Sequence, residues 1–276
     1  MKGVYIALLL AFSLLPLPVS ELTQAPAAET IIERSVEANQ RDWKAAPRYD
    51  YIERDRDADG GTRTYDELMV QGSPYERQIG VDGNPLPAAR QEAQKQKLEE
   101  TIAERSAETR EERAERIAEY EKDRKRDHLL MDQLAVAFRF QVKGETTLNG
   151  RQVYVLKATP RADYQPPNME ARVLTGMEGT LWIDEATYQW VKVEAKMIHP
   201  VSMAGILASV EPGTQFVLEK APVTEGIWLP SHFTMRSKAR VLFFFTRRTQ
   251  KDETYYDYRP AAKDKALVRL LPPAGH

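Results

Sequence analysis

From Phe138 to Tyr258 the sequence alternates apolar and polar residues between turn signals, and no other feature of the 276 residues constrains the fold as tightly. Strands recurring every ~10 to 15 residues predict an antiparallel meander that curls partly closed. Asn149-Gly150 is its sharpest hairpin signal. Val153, Val155 and Lys157 share one strand face, and Tyr154 and Leu156 the other. Thr180, Trp182 and Asp184 alternate with Leu181 and Ile183, and Trp190, Lys192 and Glu194 alternate with Val191, Val193 and Ala195. Phe216–Glu219, Trp228–Met235 and Arg240–Tyr258 are read as the remaining strands.

Upstream, Glu29–Trp43 reads as an amphipathic helix with Ile31, Ile32, Val36 and Ala38 near one stripe. It must stop before Pro47. Strands are expected over Arg48–Arg56, Thr62–Val70 and Tyr75–Val81, with turns at Asp57–Gly61 and Asp82–Pro85. The pattern then changes, because Pro87–His128 is a charged, Ala-rich tract with no Gly and no further Pro. Its composition predicts helix, in one or two pieces, and an unbroken one would run roughly 60 Å. Leu98, Ile102, Ile117 and Tyr120 are too few for a coiled-coil seam. Such a tract is either a solvated hairpin or an arm that docks a partner or closes as a lid. After His128, Leu129, Leu130, Leu134 and Ala135 can finish a helix that packs on the sheet.

The start of the chain suits export. Met1 and Lys2 precede an apolar stretch, Val4–Val19, broken by Pro16 and Pro18. That is too short for a span of about 20 apolar residues and fits a secretory signal peptide over residues 1–27, cut after Ala27 or, alternatively, after Ser20. An uncleaved anchor is the competing reading. The rest is expected to be one domain over residues 28–260 with a helical insertion at about 87–130 and a tail over 261–276. No later segment is apolar enough to span a membrane, so a periplasmic location is expected, with secretion as the alternative.

Several chemistries are poorly served. The chain has no cysteine, which excludes disulfides, thiol nucleophiles and a lipidated cysteine. The net charge of −2 gives no reason to expect nucleic acid. His128, His199, His232 and His276 lie in separate segments without metal-ligand spacing, and no nucleophile elbow, phosphate loop or dinucleotide fingerprint occurs. No cofactor, metal or catalytic residue is therefore expected, although carboxylates are abundant enough for some to converge in space.

Both strand faces are apolar in the second half, as in Leu242-Phe243-Phe244-Phe245 and Gly179-Thr180-Leu181-Trp182-Ile183. Helices can cover one side. The other side is either a filled core or the lining of a hydrophobic cavity. If a cavity, its candidate lining is Tyr49, Tyr51, Phe138, Phe140, Leu181, Ile183, Phe216, Trp228, Phe233, Leu242 and Phe244. A one-residue slip in any strand would invert its contribution.

The order of motifs resembles a known superfamily. An amphipathic helix leads through strands to Val81-Asp82-Gly83-Asn84, then to Phe140-Gln141-Val142-Lys143-Gly144, Leu148-Asn149-Gly150-Arg151-Gln152-Val153-Tyr154-Val155-Leu156 and Gly179-Thr180-Leu181-Trp182-Ile183-Asp184. This is similar to the LolA/LolB-like outer-membrane lipoprotein-sorting proteins, and more closely to uncharacterised exported bacterial members. The resemblance implies an α+β, mainly β fold, an incomplete antiparallel barrel capped by helices, with the charged helix as an insertion. It implies a non-catalytic binder of lipid or lipoprotein acyl chains in the cell envelope. The chain departs from the carriers at Gln71-Gly72-Ser73-Pro74, where they tend to place an Arg-Pro pair, and in its longer charged insertion. The alternative is an envelope scaffold with a filled barrel that docks a protein partner through Pro87–His128.

Overall fold

The computed structural model describes residues 26–203, 208–241 and 245–261. The signal-peptide reading of residues 1–27 therefore lies almost wholly outside the described residues, and so do the tail from residue 262, Leu242 and Phe244.

Helix α1 (Ala28–Ala45) carries a buried stripe of Ile31, Ile32, Ser35, Ala38, Asn39, Asp42 and Ala45, at the three- and four-residue spacing of one helix face. A 3₁₀ turn containing Pro47 ends it. Strands β1 (Tyr49–Arg56), β2 (Thr62–Val70), β3 (Ser73–Val81) and the short β4 (Asn84–Pro85) follow. The charged tract is broken into α2 (Ala88–Ala107) and α3 (Arg110–Ala137). The break is encoded: Thr109 and Glu112 form a capping box, each side chain holding the other's backbone N–H.

The second half comprises β5 (Phe138–Leu148), β6 (Arg151–Pro160), a 3₁₀ helix (Glu170–Gly176), β7 (Met177–Asp184) and β8 (Trp190–Met197). After these come β9 (Val201–Ser202), β10 (Ala208–Val210), β11 (Gln215–Thr224), β12 (Ile227–Val241) and β13 (Phe245–Pro260). Asn149 and Gly150 both have positive φ, 52° and 77°, as the tight turn between β5 and β6 demands. All the ladders between these strands are antiparallel, in the order β4-β3-β2-β1-β13-β12-β11-β8-β7-β6-β5. The two end strands do not meet, so the fold is a mainly β, open antiparallel barrel with helices on it.

Two sequence expectations need correction. Arg240–Tyr258 is not one strand: Val241 pairs with Phe245, so the chain reverses between them and Arg240 belongs to β12. The intervening residues contain no Gly, Pro, Asn or Asp to announce a turn. Nor do Trp190 and Val193 face opposite sides. Leu181 pairs with Val193 while Ile183 pairs with Trp190, and this irregularity brings both to the core face.

Helix α1 is fixed to that face by a buried polar network as well as by Ile31 and Ile32. Asp42 accepts hydrogen bonds from Lys220 Nζ, from the Trp228 backbone N–H at 2.9 Å and from Gln189 Nε2 at 3.1 Å. Lys220 also donates to Asn39 Oδ1 at 2.9 Å. A charge buried this deeply is tolerated only when paired and hydrogen-bonded, so the network specifies where α1 sits.

Helices α2 and α3 hold the far end of the sheet. Leu98 of α2 is buried against Leu68 and Val70 of β2. Met69, between those two, points to the opposite face and receives Tyr120 Oη of α3 at 3.9 Å from its sulfur. The helices therefore clamp the β2–β3 hairpin from both sides. Arg116 secures the clamp, binding Glu108 through two 2.6 Å contacts and donating to Ser73 Oγ at 2.6 Å.

Candidate functional site

One face of the sheet is hollowed by the sequence itself. Pairing aligns Phe140, Ala158, Gly179, Ala195, Phe216 and Met235 in a single row across six strands. Residues directly opposite one another share a face, so Ala158, Gly179 and Ala195 form a floor almost without side chains between two phenylalanines. The adjacent row is Val142, Leu156, Leu181, Val193, Leu218 and Phe233, all bulky and apolar. Leu130, Met131 and Leu134 of α3 and Val173 and Leu174 of the 3₁₀ helix roof the space. A cavity of about 350 Å³ results. That is within the roughly 300–1,000 Å³ of small-molecule sites, which are likewise mainly apolar.

The candidate residues from the sequence are distributed as follows. Phe138, Phe140, Leu181, Phe216 and Phe233 line the cavity together. Ile183 is fully buried in the same core and does not line the cavity. Trp228 does not line the cavity: it belongs to a separate cluster with Val153 and Val191, under the Arg151 guanidinium. Tyr49 opens β1 opposite Pro260, and Tyr51 packs against Tyr255 and Tyr258 with ring centroids 5.9 and 5.2 Å away, so neither lines the cavity. Leu242 and Phe244 lie outside the described residues. Sequence reasoning missed Trp190, whose face was inverted by the irregularity in β8, and the small residues of the floor. The Leu130 and Leu134 spacing on α3 did signal an apolar helix face.

The same concave face has a polar margin. Phe233 is directly opposite Glu253, which in turn is opposite Asp55, while Glu53 is opposite Tyr255. Glu53, Asp55 and Glu253 each offer an oxygen within 4.8 Å of the others. Burial raises the Glu53 carboxyl to about 8, helped by its hydrogen bond with Asp55 and the charges of Asp55, Glu67 and Glu253. Burial likewise lifts Glu67 to about 7, with Glu76 adding to the effect. Tyr51, Tyr255 and Tyr258 are all shifted upward by burial first. Carboxyls poised near neutrality can serve acid–base chemistry. Among the described residues their neighbours are tyrosines, other carboxylates and Lys251, whose Nζ donates to Glu253 at 2.8 Å.

His128 and His232 serve packing and pairing contacts. His128 stacks on Trp43 at 4.5 Å between ring centroids, and burial lowers its pKa. His232 lies 2.9 Å from Asp252.

No described protein family matches the sequence, and no curated protein matches it. Solved structures do align. A lipoprotein-sorting protein domain from Vibrio parahaemolyticus is 14% identical, with 87% of this chain and 95% of that one covered and a TM-score of 0.36. A LolA superfamily protein from Nitrosomonas europaea is 11% identical over 87% of this chain and 96% of that one, with a TM-score of 0.33. A DUF1329 family protein from Desulfovibrio piger is 8% identical over 88% and 96%, with a TM-score of 0.31. The architecture given above rests on the strand order and helices of this chain itself.

Proposed function

We propose that this chain is an exported cell-envelope protein that binds a hydrophobic ligand, a lipid or lipoprotein acyl chain, without catalysis. The observation that carries the reading is the 350 Å³ cavity with its apolar walls and its Ala158-Gly179-Ala195 floor. Each buried methylene would contribute about 0.8 kcal/mol, so a partly enclosed chain gains enough to be retained. The export signal read in residues 1–27 supports the compartment, and no helix among the described residues is long and apolar enough to cross a membrane.

Native mass spectrometry of the protein purified from the envelope, followed by lipid extraction, tests the proposal. A stoichiometric lipid or acylated peptide is expected, and Ala195→Phe, which places a ring in the cavity, should remove it while thermal unfolding stays cooperative. An empty mass for the wild type, or unchanged lipid in the variant, would overturn the reading.

The scaffold alternative draws on the outer faces of α2 and α3, which are largely exposed and charged. Deleting the helical insertion discriminates, since loss of a co-purifying protein with retained lipid would favour the scaffold.

A further inference from the structure

Helix α3 is held at its centre by an aromatic stack on the last turn of α1. The ring of His128 lies 4.5 Å from that of Trp43 and is tilted from it by only 13°. One turn earlier, the Arg124 guanidinium sits 4.6 Å from the centre of the same indole and donates to the Trp43 carbonyl. His128 Nε2 is also 2.6 Å from Gln40 Oε1, so the neutral ring donates to α1 there. These contacts tie α3 down just before Leu130, Met131 and Leu134, which roof the cavity within the next two turns.

The ring is badly placed to carry a charge, because its side chain is only 10% exposed. The charged groups that face it are Asp132 and Arg124 of its own helix and Lys220 of β11, and Lys220 is already paired with Asp42 of α1. Trp43 and Gln40, the α1 side chains that touch the ring, are uncharged. Burial lowers the His128 pKa from its ordinary 6.5, Asp132 at 3.4 Å opposes the shift, and Arg124 and Lys220 add to it. A base that holds its proton less tightly in the stacked form favours the unstacked form in acid. The stack is therefore fully stable above 6.5 and weakens as pH falls below that value.

We propose that the His128–Trp43 stack is a pH-sensitive latch on the cavity roof, so that protonating His128 frees the α3 turns carrying Leu130, Met131 and Leu134 and lets a ligand exchange. The latch stands on the contacts of α1 with α3, whereas its effect on a ligand rests on the cavity being a binding site.

Hydrogen exchange of the purified chain tests the latch, with protection factors compared at about pH 7.5 and about pH 5.5 so that the intrinsic pH dependence of exchange cancels. Protection over residues 129–137 should fall in acid while β6–β8 stay protected. The loss should reach at most about tenfold for each pH unit below 6.5, the limit for a single proton. His128→Phe keeps a ring on Trp43 and cannot titrate, so its protection should not respond to pH. Asp132→Asn removes a half-exposed acid that steadies the imidazolium in the stacked form, and should enlarge the loss. No acid loss in the wild type, a loss that persists in His128→Phe, or one that shrinks in Asp132→Asn would overturn the proposal. The release rate of phenylnaphthylamine, a neutral hydrophobic dye, tests the ligand step: acid should speed release from the wild type and not from His128→Phe. Release at one rate at both pH values despite a loosened roof would overturn the gating. A chain that takes up no dye would count against the binding reading alone, because the exchange pattern still decides the latch.

Discussion

Lys220 of β11 reaches Asp42 of α1 across the interface of helix and sheet, and the two side chains are only 6% and 3% exposed. Because Asp42 also receives the Trp228 N–H and Gln189, removing its carboxylate takes an acceptor from three donors at once and leaves the buried Lys220 charge with Asn39 alone. Asp42→Ala should cost roughly 3–5 kcal/mol, and pairing it with Lys220→Met should recover part of the loss. Urea unfolding of the two single variants and the double variant measures this; a double variant no better than the worse single one would refute the account.

The acidic margin gives the fold a pH dependence. Glu53 and Glu67 have an ordinary value of 4.5 and are raised to about 8 and about 7 in the fold. Between 4.5 and those values the folded chain holds protons that the unfolded chain has released, so stability falls as pH rises through this window. It is fully present below 4.5 and levels off above about 8. Melting temperature should drop between pH 5 and 8.5, and Glu53→Gln should flatten the curve. A melting temperature that rises over this range would contradict the assignment.

The helical clamp depends on a glycine. Gly72 has φ of 95°, and a Cβ there would lie 2.8 Å from Ile117 Cδ1. Gly72→Ala should therefore cost roughly 1–3 kcal/mol. Hydrogen exchange should show the loss concentrated in α2 and α3, with the β5–β8 sheet protected as before. Arg116→Ala should produce the same local pattern, since it removes the contacts to Glu108 and Ser73. Uniform loosening of the whole sheet would instead mean that the clamp is not a separate unit.

Trp190 offers an optical probe. Among the four tryptophans it alone lines the cavity, with its indole N–H on Ser35 Oγ. A hydrophobic ligand should shift tryptophan emission, and Trp190→Phe should abolish the shift at a stability cost of about 0.5–1.5 kcal/mol for the lost hydrogen bond. A shift that survives in the variant would place the ligand elsewhere.

The regular parts of this fold were legible in the sequence because local chemistry sets them. Thr62–Val70 alternates cleanly and forms β2, and Asn149-Gly150 turns where such a pair must. The break at Thr109 could have been read from its capping box. What was illegible depends on pairing between distant segments. Trp190 changed face because of one irregular residue, and Tyr51 went to an acidic cluster rather than the cavity because β13, some 200 residues later, supplies Glu253 and Tyr255 beside it. The partners of Asp42, Lys220 and Gln189 could not be read at all, since burial of a polar residue on α1 contradicts its composition and is decided by the sheet it meets.

The row of Ala158, Gly179 and Ala195 means that the hollow is made by omission: the strands keep their normal spacing and three side chains are simply left short. Capacity is thus a matter of a few carbon atoms at fixed backbone. A graded set of substitutions at Ala158 and Ala195 should behave like a set of gauges, each admitting chains up to a different length, and could sort ligands by size without any movement of the sheet.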